Sequence, residues 1–488
     1  MRHLARLPQW AWLVILSAAL RLPTLGSEAL WYDETFTAWV SGRLDWTQFW
    51  AAVAGDVHPP LWYALEALVV RLLGVSEFTL RLPAALAGIG STLLVWQVAG
   101  SLGFARRTAF VTGVLVAVLP ASLYYGQEAR MYTLLSFFVL LSVQAALRHK
   151  WQWFAVGCLG AVYSQNLSVF YVFTLGLAVL WQARRQPLNL LKPALALGVV
   201  VAAWSPWGVV MLGQARGIAQ SFWLHPLTVS GALEPLMNMT MGWRIPEVLI
   251  MHGYAAALGA TGVGLLVSRR WLRTRQGFLI LSTALGTPIL VALVSFLWRS
   301  VYLPRAFLPS ALLLMLFWAY ALLHLGRQNR RVFAVILLPM LFVGILAHYF
   351  GQPRFDWRTW LRPVHENWQA GDGVYHPALS TAITFAYYLG DKPYHLRAYA
   401  SDLNQALSSE TRAAFGFREG SLEDALAQHE RLWLLFYTNP MSHADELALL
   451  DWARQHAVQV AHKANALSEV SIYLYRREAS DRQAHSGQ

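Results

Sequence analysis

Over the first 350 residues apolar runs alternate with short polar segments, and beyond that point the alternation stops. Runs long enough, or nearly so, to cross about 30 Å of hydrocarbon fall at 9–26, 82–101, 108–122, 130–148, 151–164, 167–183, 191–212, 248–267, 276–298, 304–325 and 332–350. A further stretch, Leu61 to Gly74, is short and interrupted by Glu66 and Arg71. The distribution of basic residues decides its place. With Leu61–Gly74 lying in the interface, the clusters Arg106-Arg107, Arg148-His149-Lys150, Arg184-Arg185, Arg269-Arg270 with Arg273 and Arg275, and Arg327 with Arg330-Arg331 all fall on the cytoplasmic side. If it spans, they move outside. The pattern therefore predicts about eleven spans and an amphipathic helix on the outer leaflet.

This topology exposes Ser27 to Arg81, Ala121 to Ala129, Ser164 to Asn166, Gly213 to Val248, Arg299 to Leu303 and everything after Gly351 on the outer face. In the last part, the β-type runs Gly373-Val374-Tyr375, Arg431 to Tyr437 and Val470 to Tyr475 alternate with helical patterns at 379–389, 421–429 and 442–456, as in a small α/β domain. The expected fold is mainly α. It is a polytopic membrane bundle over 1–350, with interfacial helices in the first outer loop 27–81, followed by an extracytoplasmic α/β domain over 351–488 that ends in a loose tail.

Composition agrees with an integral membrane protein: 56% of the 488 residues are hydrophobic, 13% are charged, and the mean hydropathy is +0.40. A net charge of +12 would suit nucleic acid, but the basic residues sit between apolar runs, where they set topology, and no basic groove-forming domain is visible. No nucleic-acid partner is expected. The single cysteine, Cys158, lies in an apolar run, as a packed thiol does. The first run follows Arg2 and Arg6 as in a signal peptide, yet no small-residue cleavage site precedes Trp31-Tyr32-Asp33-Glu34, so a retained helix is expected.

Candidate chemistry gathers on the outer loops. Asp33 and Glu34 follow the first span, where an ionised pair needs water or a partner. Being adjacent, they point in different directions. One suits a general base and the other a positioning or ion-holding role; a helix N-terminus with acidic first-turn residues is the alternative. His58-Pro59-Pro60 reads as a turn into a helix. Metal ligation, proton transfer and capping all stay open for His58. Gln127-Glu128-Ala129-Arg130-Met131-Tyr132 is a charged patch between two apolar runs, either a substrate site or a structural Glu128–Arg130 ion pair. Arg81-Leu82-Pro83 and Pro304-Arg305-Ala306-Phe307-Leu308-Pro309 place lone arginines where spans begin; such cations suit a lipid phosphate, a headgroup or a structural kink. Coupled transport favours ionisable groups at mid-membrane and paired repeat halves, and neither stands out here.

In order and sidedness these motifs, from Trp31-Tyr32-Asp33-Glu34 and His58-Pro59-Pro60-Leu61-Trp62-Tyr63 to the Arg305–Pro309 segment, resemble those of the polytopic C-type glycosyltransferases. The chain is most similar to the bacterial branch grouped with protein O-mannosyltransferases and lipid A aminoarabinose transferases. The resemblance covers about 10–350, and the C-terminal piece resembles those of bacterial members.

It implies an inverting transfer of a monosaccharide from a polyprenyl phosphate to a lipid, glycan or protein acceptor at the outer face of the cytoplasmic membrane. Asp33 would be the general base, Glu34 would position substrate, and Glu128 would lie near the acceptor or a bound ion. Arg81 and Arg305 would hold the lipid phosphate and stabilise the leaving group. His58, Tyr63, Gln127, Arg130 and Tyr132, within the matching motifs, count with the substrate-binding set. Metal use varies in the family, so the metal ligands are unknown and a divalent ion stays open. One departure is that Arg305 is followed by Ala306 and Phe307 where many relatives read Arg-Tyr. A lipid-linked oligosaccharide polymerase or ligase, and a lipid or sugar transporter without chemistry, are the competing readings. The Trp-Trp-Asp signature of oligosaccharyltransferases is absent from the C-terminal domain.

Overall fold

The structure is a computed structural model and describes residues 7–184, 187–218, 226–397, 415–437, 443–464 and 470–477. The chain forms two compact units. One, the helical unit, comprises Met1–Glu28, Val57–Arg216 and Phe222–Pro353; the other, the sheet unit, comprises Ala29–Asp56, Gly217–Ser221 and Arg354–Gln488. The expected division at 350/351 assigned all of 27–81 to the membrane part, whereas the compact units group 29–56 with the C-terminal segment. The loose tail expected at the C-terminus lies outside the described residues.

Every run expected to span carries a helix in the helical unit. Six helices among the described residues are long and apolar enough to cross a membrane: Glu77–Ser101, Leu190–Gln214, Glu247–Val267, Arg275–Leu297, Pro304–His324 and Arg327–Phe350. The pair Arg106–Val118 and Pro120–Gly126, bent by 55°, makes a seventh if counted as one span. Gln9–Arg21, Tyr132–Leu147, Trp151–Ser164 and Ser168–Ala183 are shorter. Pro304–His324 is central, with 83% of its apolar window buried, while Leu190–Gln214 is 22% buried and turns Leu195 and Val209 outward, as a lipid-facing helix does. Pro60–Leu73 buries Trp62, Tyr63, Glu66 and Val70 and exposes Leu68 and Leu72, so its charged Glu66 sits on the packed face.

The helix Glu77–Ser101 begins five residues before the expected span, because Ser76 caps it and accepts from the Thr79 N–H. Arg81-Leu82-Pro83 therefore lies inside the helix. A second difference is the bend at Pro120. Proline has no N–H to continue the ladder, and Arg21, fully buried, donates to the Ala117 carbonyl at the end of one segment and to the Ser122 hydroxyl in the next. Gly88 and Gly126 leave room for this guanidinium; a Cβ on either would lie 3.0 or 2.8 Å from Arg21 Nε.

In the sheet unit six strands, β1 (Gly373–His376), β2 (Tyr394–Arg397), β3 (Arg418–Gly420), β4 (Arg431–Tyr437), β5 (Ala457–Ala464) and β6 (Val470–Arg477), lie in the order β3-β2-β1-β4-β6-β5. The first four are mutually parallel and β6 runs antiparallel to both β4 and β5. Tyr375, Leu432, Leu434, Phe436 and Tyr475 build one core with Leu422, Leu426 and Leu450 of the covering helices. The helix Tyr32–Gly42 belongs to this unit: Trp39 Nε1 donates to the Ile383 carbonyl, and the Trp39 ring meets Phe415 edge-on at 5.4 Å.

Candidate active site

In the sheet unit, the chain leaves Trp31 in an extended conformation and turns into the helix Tyr32–Gly42 with Asp33 and Glu34 in its first turn. There a negative charge is favoured by the helix dipole. Glu34, at the third helical position, reaches back to the Trp31 N–H at 3.3 Å as a capping acid. It is completely buried, and its Oε2 pairs with Arg354 Nη1 at 2.5 Å. Glu34 thus closes a structural pair 320 residues apart, while Asp33 is half-buried and contributes its backbone carbonyl to the Thr37 hydroxyl. The two carboxylates have different surroundings, as their adjacency implied.

In the helical unit the remaining candidates separate by what they touch. Arg81 is 2% exposed and its Nη1 donates to the carbonyls of Leu25 and Glu28, tying down the chain where it leaves the first helix. Gln127 Nε2 donates to the carbonyl of Arg21 and the hydroxyl of Thr24, and Gln127 Oε1 lies 2.7 Å from His348 Nε2. These contacts cap the end of Gln9–Arg21. Tyr63 is fully buried in the helix Pro60–Leu73, which Pro60 starts at its first position. His58, just ahead of it, is buried with its Nε2 3.1 Å from Arg130 Nη2. A guanidinium only donates, so this contact is a hydrogen bond when His58 is neutral and carries its proton on Nδ1.

Glu128 and Arg130 are almost fully buried, on a tight turn in which the Arg130 N–H donates to the Glu128 carbonyl. Tyr132 is buried beside Tyr125, with ring centroids 5.2 Å apart, and the Arg305 guanidinium lies over the Tyr132 ring at 5.4 Å. Tyr125 feels the charges of both Glu128 and Arg305. The helical unit therefore brings Glu128, Tyr132 and Arg305 around Tyr125 and joins His58 to Arg130. Among the described residues, no three His, Cys, Asp or Glu side chains gather so as to hold a metal ion.

Residues 57–209 match the family model described as dolichyl-phosphate-mannose-protein mannosyltransferase. The chain superimposes on ArnT from Cupriavidus metallidurans bound to undecaprenyl phosphate with a TM-score of 0.64 and 14% identity, covering 95% of this chain and 97% of that one. The fold is that of ArnT. The apo form of the same ArnT gives a TM-score of 0.65 at 15% identity, over 95% of this chain and 98% of that one. An oligosaccharyltransferase from Archaeoglobus fulgidus gives 0.50 at 10% identity, over 96% of this chain and 73% of that one. No curated protein matches. The resemblance read from the motifs is thus borne out for the fold, and the family model over 57–209 agrees with it, at identities too low to carry a substrate.

Several partners in this fold were not singled out in the sequence. Arg354 neutralises Glu34. Trp243 Nε1 donates to the Tyr125 hydroxyl at 3.1 Å, and Arg244 forms a bidentate pair with Glu28 at 2.5 and 2.6 Å. Arg244 lies in the segment Gly213 to Val248, expected on the outer face, and its partner Glu28 stands 216 residues away with no local signal.

Proposed function

We propose that this protein is a membrane glycosyltransferase that moves a monosaccharide from a polyprenyl-phosphate carrier to an acceptor hydroxyl, at the outer face of the cytoplasmic membrane and with inversion at the anomeric carbon. The observation that carries the reading is the Arg305 turn. Its cation stands over Tyr132 and acts on a tyrosine that also feels Glu128, in a fold shared with ArnT bound to undecaprenyl phosphate. Asp33 takes the acceptor proton as the acceptor oxygen attacks the anomeric carbon; the bond from that carbon to the phosphate oxygen breaks, and its electron pair leaves with the phosphate. Arg305 offsets the charge that grows there. In this reading Glu128 lies toward the acceptor, and Glu34 and Arg81 hold the chain in place rather than touch substrate.

The test is the Asp33→Asn variant of the full chain in lipid nanodiscs, supplied with undecaprenyl-phosphate monosaccharides and an acceptor extract. Turnover should drop by about 100-fold or more, the usual contribution of a general base, with donor affinity nearly unchanged. Full turnover in Asp33→Asn would remove Asp33 from the chemistry. A wild type that carries labelled sugar across a bilayer without making a glycosidic bond would favour transport instead.

A further inference from the structure

The helix Val229–Met241 of the helical unit carries polar groups that the proposed reaction has not used. Its start is set by Thr228, whose hydroxyl accepts from the Gly231 N–H. The Tyr302 hydroxyl donates to the Ala232 carbonyl at 2.8 Å, which pins this helix to the segment that turns, three residues on, into Arg305. Glu234 and Asn238 stand one turn apart on the same side of the helix. Glu234 is half-buried and acts electrostatically on Tyr254 and Tyr302. Burial raises its pKa, and the nearby Asn238 amide lowers it in part.

Asn238 is only 3% exposed; its amide faces the Glu234 carboxylate one turn away, and neither Oδ1 nor Nδ2 meets strict hydrogen-bond geometry with any group. Polar groups buried to this degree are nearly always satisfied, and an exception calls for a reason. The same helix buries Met237, Met239 and Met241, unbranched side chains that can shift to admit a ligand.

We propose that Glu234 and Asn238 form a hydroxyl-recognising subsite for the sugar of the lipid-linked donor. An amide presents both a donor and an acceptor, a carboxylate presents two acceptor oxygens, and the Tyr302 oxygen, its O–H already given to Ala232, can still accept; vicinal sugar hydroxyls ask for this mixture. A phosphate is excluded from the subsite by the Glu234 charge. It belongs at Arg305, which the Tyr302 tether keeps next to the same helix. The anionic and polyol halves of one donor thus meet opposite chemistries along one short stretch of surface. This assignment rests on the glycosyl-transfer reading above.

The experiment measures binding of bare undecaprenyl phosphate, and of a panel of undecaprenyl-phosphate hexoses, pentoses and aminopentoses, to the full chain in nanodiscs. It compares wild type with Asn238→Leu and Glu234→Gln. Asn238→Leu replaces a buried amide without strict hydrogen-bond geometry by an apolar group of similar size, so its thermal midpoint should hold. It should bind bare undecaprenyl phosphate within twofold of wild type and the preferred sugar carrier at least tenfold more weakly. Glu234→Gln, at a half-exposed position, should show the same discrimination independently of core packing. Equal weakening for both ligands, no weakening at all, or a lowered midpoint in Asn238→Leu with normal discrimination in Glu234→Gln would overturn the subsite alone. A wild type that binds bare carrier and no sugar carrier would overturn the glycosyl-transfer reading and the subsite with it.

Discussion

The segments around Arg81 and Arg305 look alike as sequence, each an arginine beside proline near the start of an apolar run, and the fold uses them differently. Arg81 lies inside a capped helix and its guanidinium is engaged by the carbonyls of Leu25 and Glu28. Arg305 stands on a short 3-10 turn, Pro304–Phe307, and meets the face of Tyr132. A buried cation that satisfies backbone carbonyls holds a loop in place. One held against an aromatic face is, in the reading proposed above, placed for an anion that comes and goes. The same division runs through the acidic pair, where Glu34 is buried against Arg354 and Asp33 is half-buried.

The strongest way to break this contrast is Glu34→Ala. Leaving Arg354 without its buried partner should cost about 3–5 kcal/mol of stability, read as a large fall in thermal midpoint, with donor affinity in the surviving folded fraction unchanged. A stable, inactive Glu34→Ala protein would move Glu34 into the chemistry. Arg81→Met should come next, losing about 3 kcal/mol as two charge-assisted hydrogen bonds disappear; an unaltered midpoint with lost donor binding would reverse its assignment.

The sheet unit offers a sharper case of burial without a partner. His376 is fully buried, stacked on Phe385 at 5.3 Å, and neither ring nitrogen has a hydrogen-bond partner. Burial holds its pKa down at about 3. The folded state therefore refuses a proton that the unfolded chain accepts below its ordinary value near 6.5, so stability falls as pH drops from about 6.5 toward 3. Between pH 6.5 and 5 this amounts to about 2 kcal/mol, and His376→Phe should remove it from the pH dependence of the thermal midpoint. A residue of the same sign should remain from His395, lowered to about 4 by burial, His429 and Arg418. An equally steep pH dependence in His376→Phe would show that the ring is charged or solvated in the fold. The mildest change is Arg305→Ala, expected to weaken binding of undecaprenyl phosphate about tenfold, about 1.4 kcal/mol, while leaving the midpoint nearly untouched. A fall in midpoint as large as that of Arg81→Met would erase the distinction between the two arginines.

What could be read in advance follows from how local each signal is. Apolar runs and turn residues placed the helices, and alternation placed β4 at Arg431–Tyr437 and the helix Leu379–Leu389 as expected. The short strands β2 and β3 escaped because three or four residues carry little pattern, and β5 because its Ala457–Ala464 run follows the helix His443–His456 with no turn residue between them and leaves Val458 and Val460 exposed. The carboxylate pair and lone arginines were legible as a set, since charge beside lipid is costly wherever it occurs. Their separation into binding groups and structural ties was not, because it depends on Arg354 and on the carbonyls of Leu25 and Glu28, which no spacing rule connects to them. Nor could composition reveal that 29–56 joins the C-terminal segment in one compact unit.

Sugar transfer with Asp33 as base can be read from the lipids and glycans of cells lacking this chain, by mass spectrometry after complementation with wild type or with Asp33→Asn. One glycoconjugate should come out short of a single monosaccharide, restored by wild type and not by Asp33→Asn at equal expression. An unchanged glycan profile in the deletion strain, or full restoration by Asp33→Asn, would contradict it.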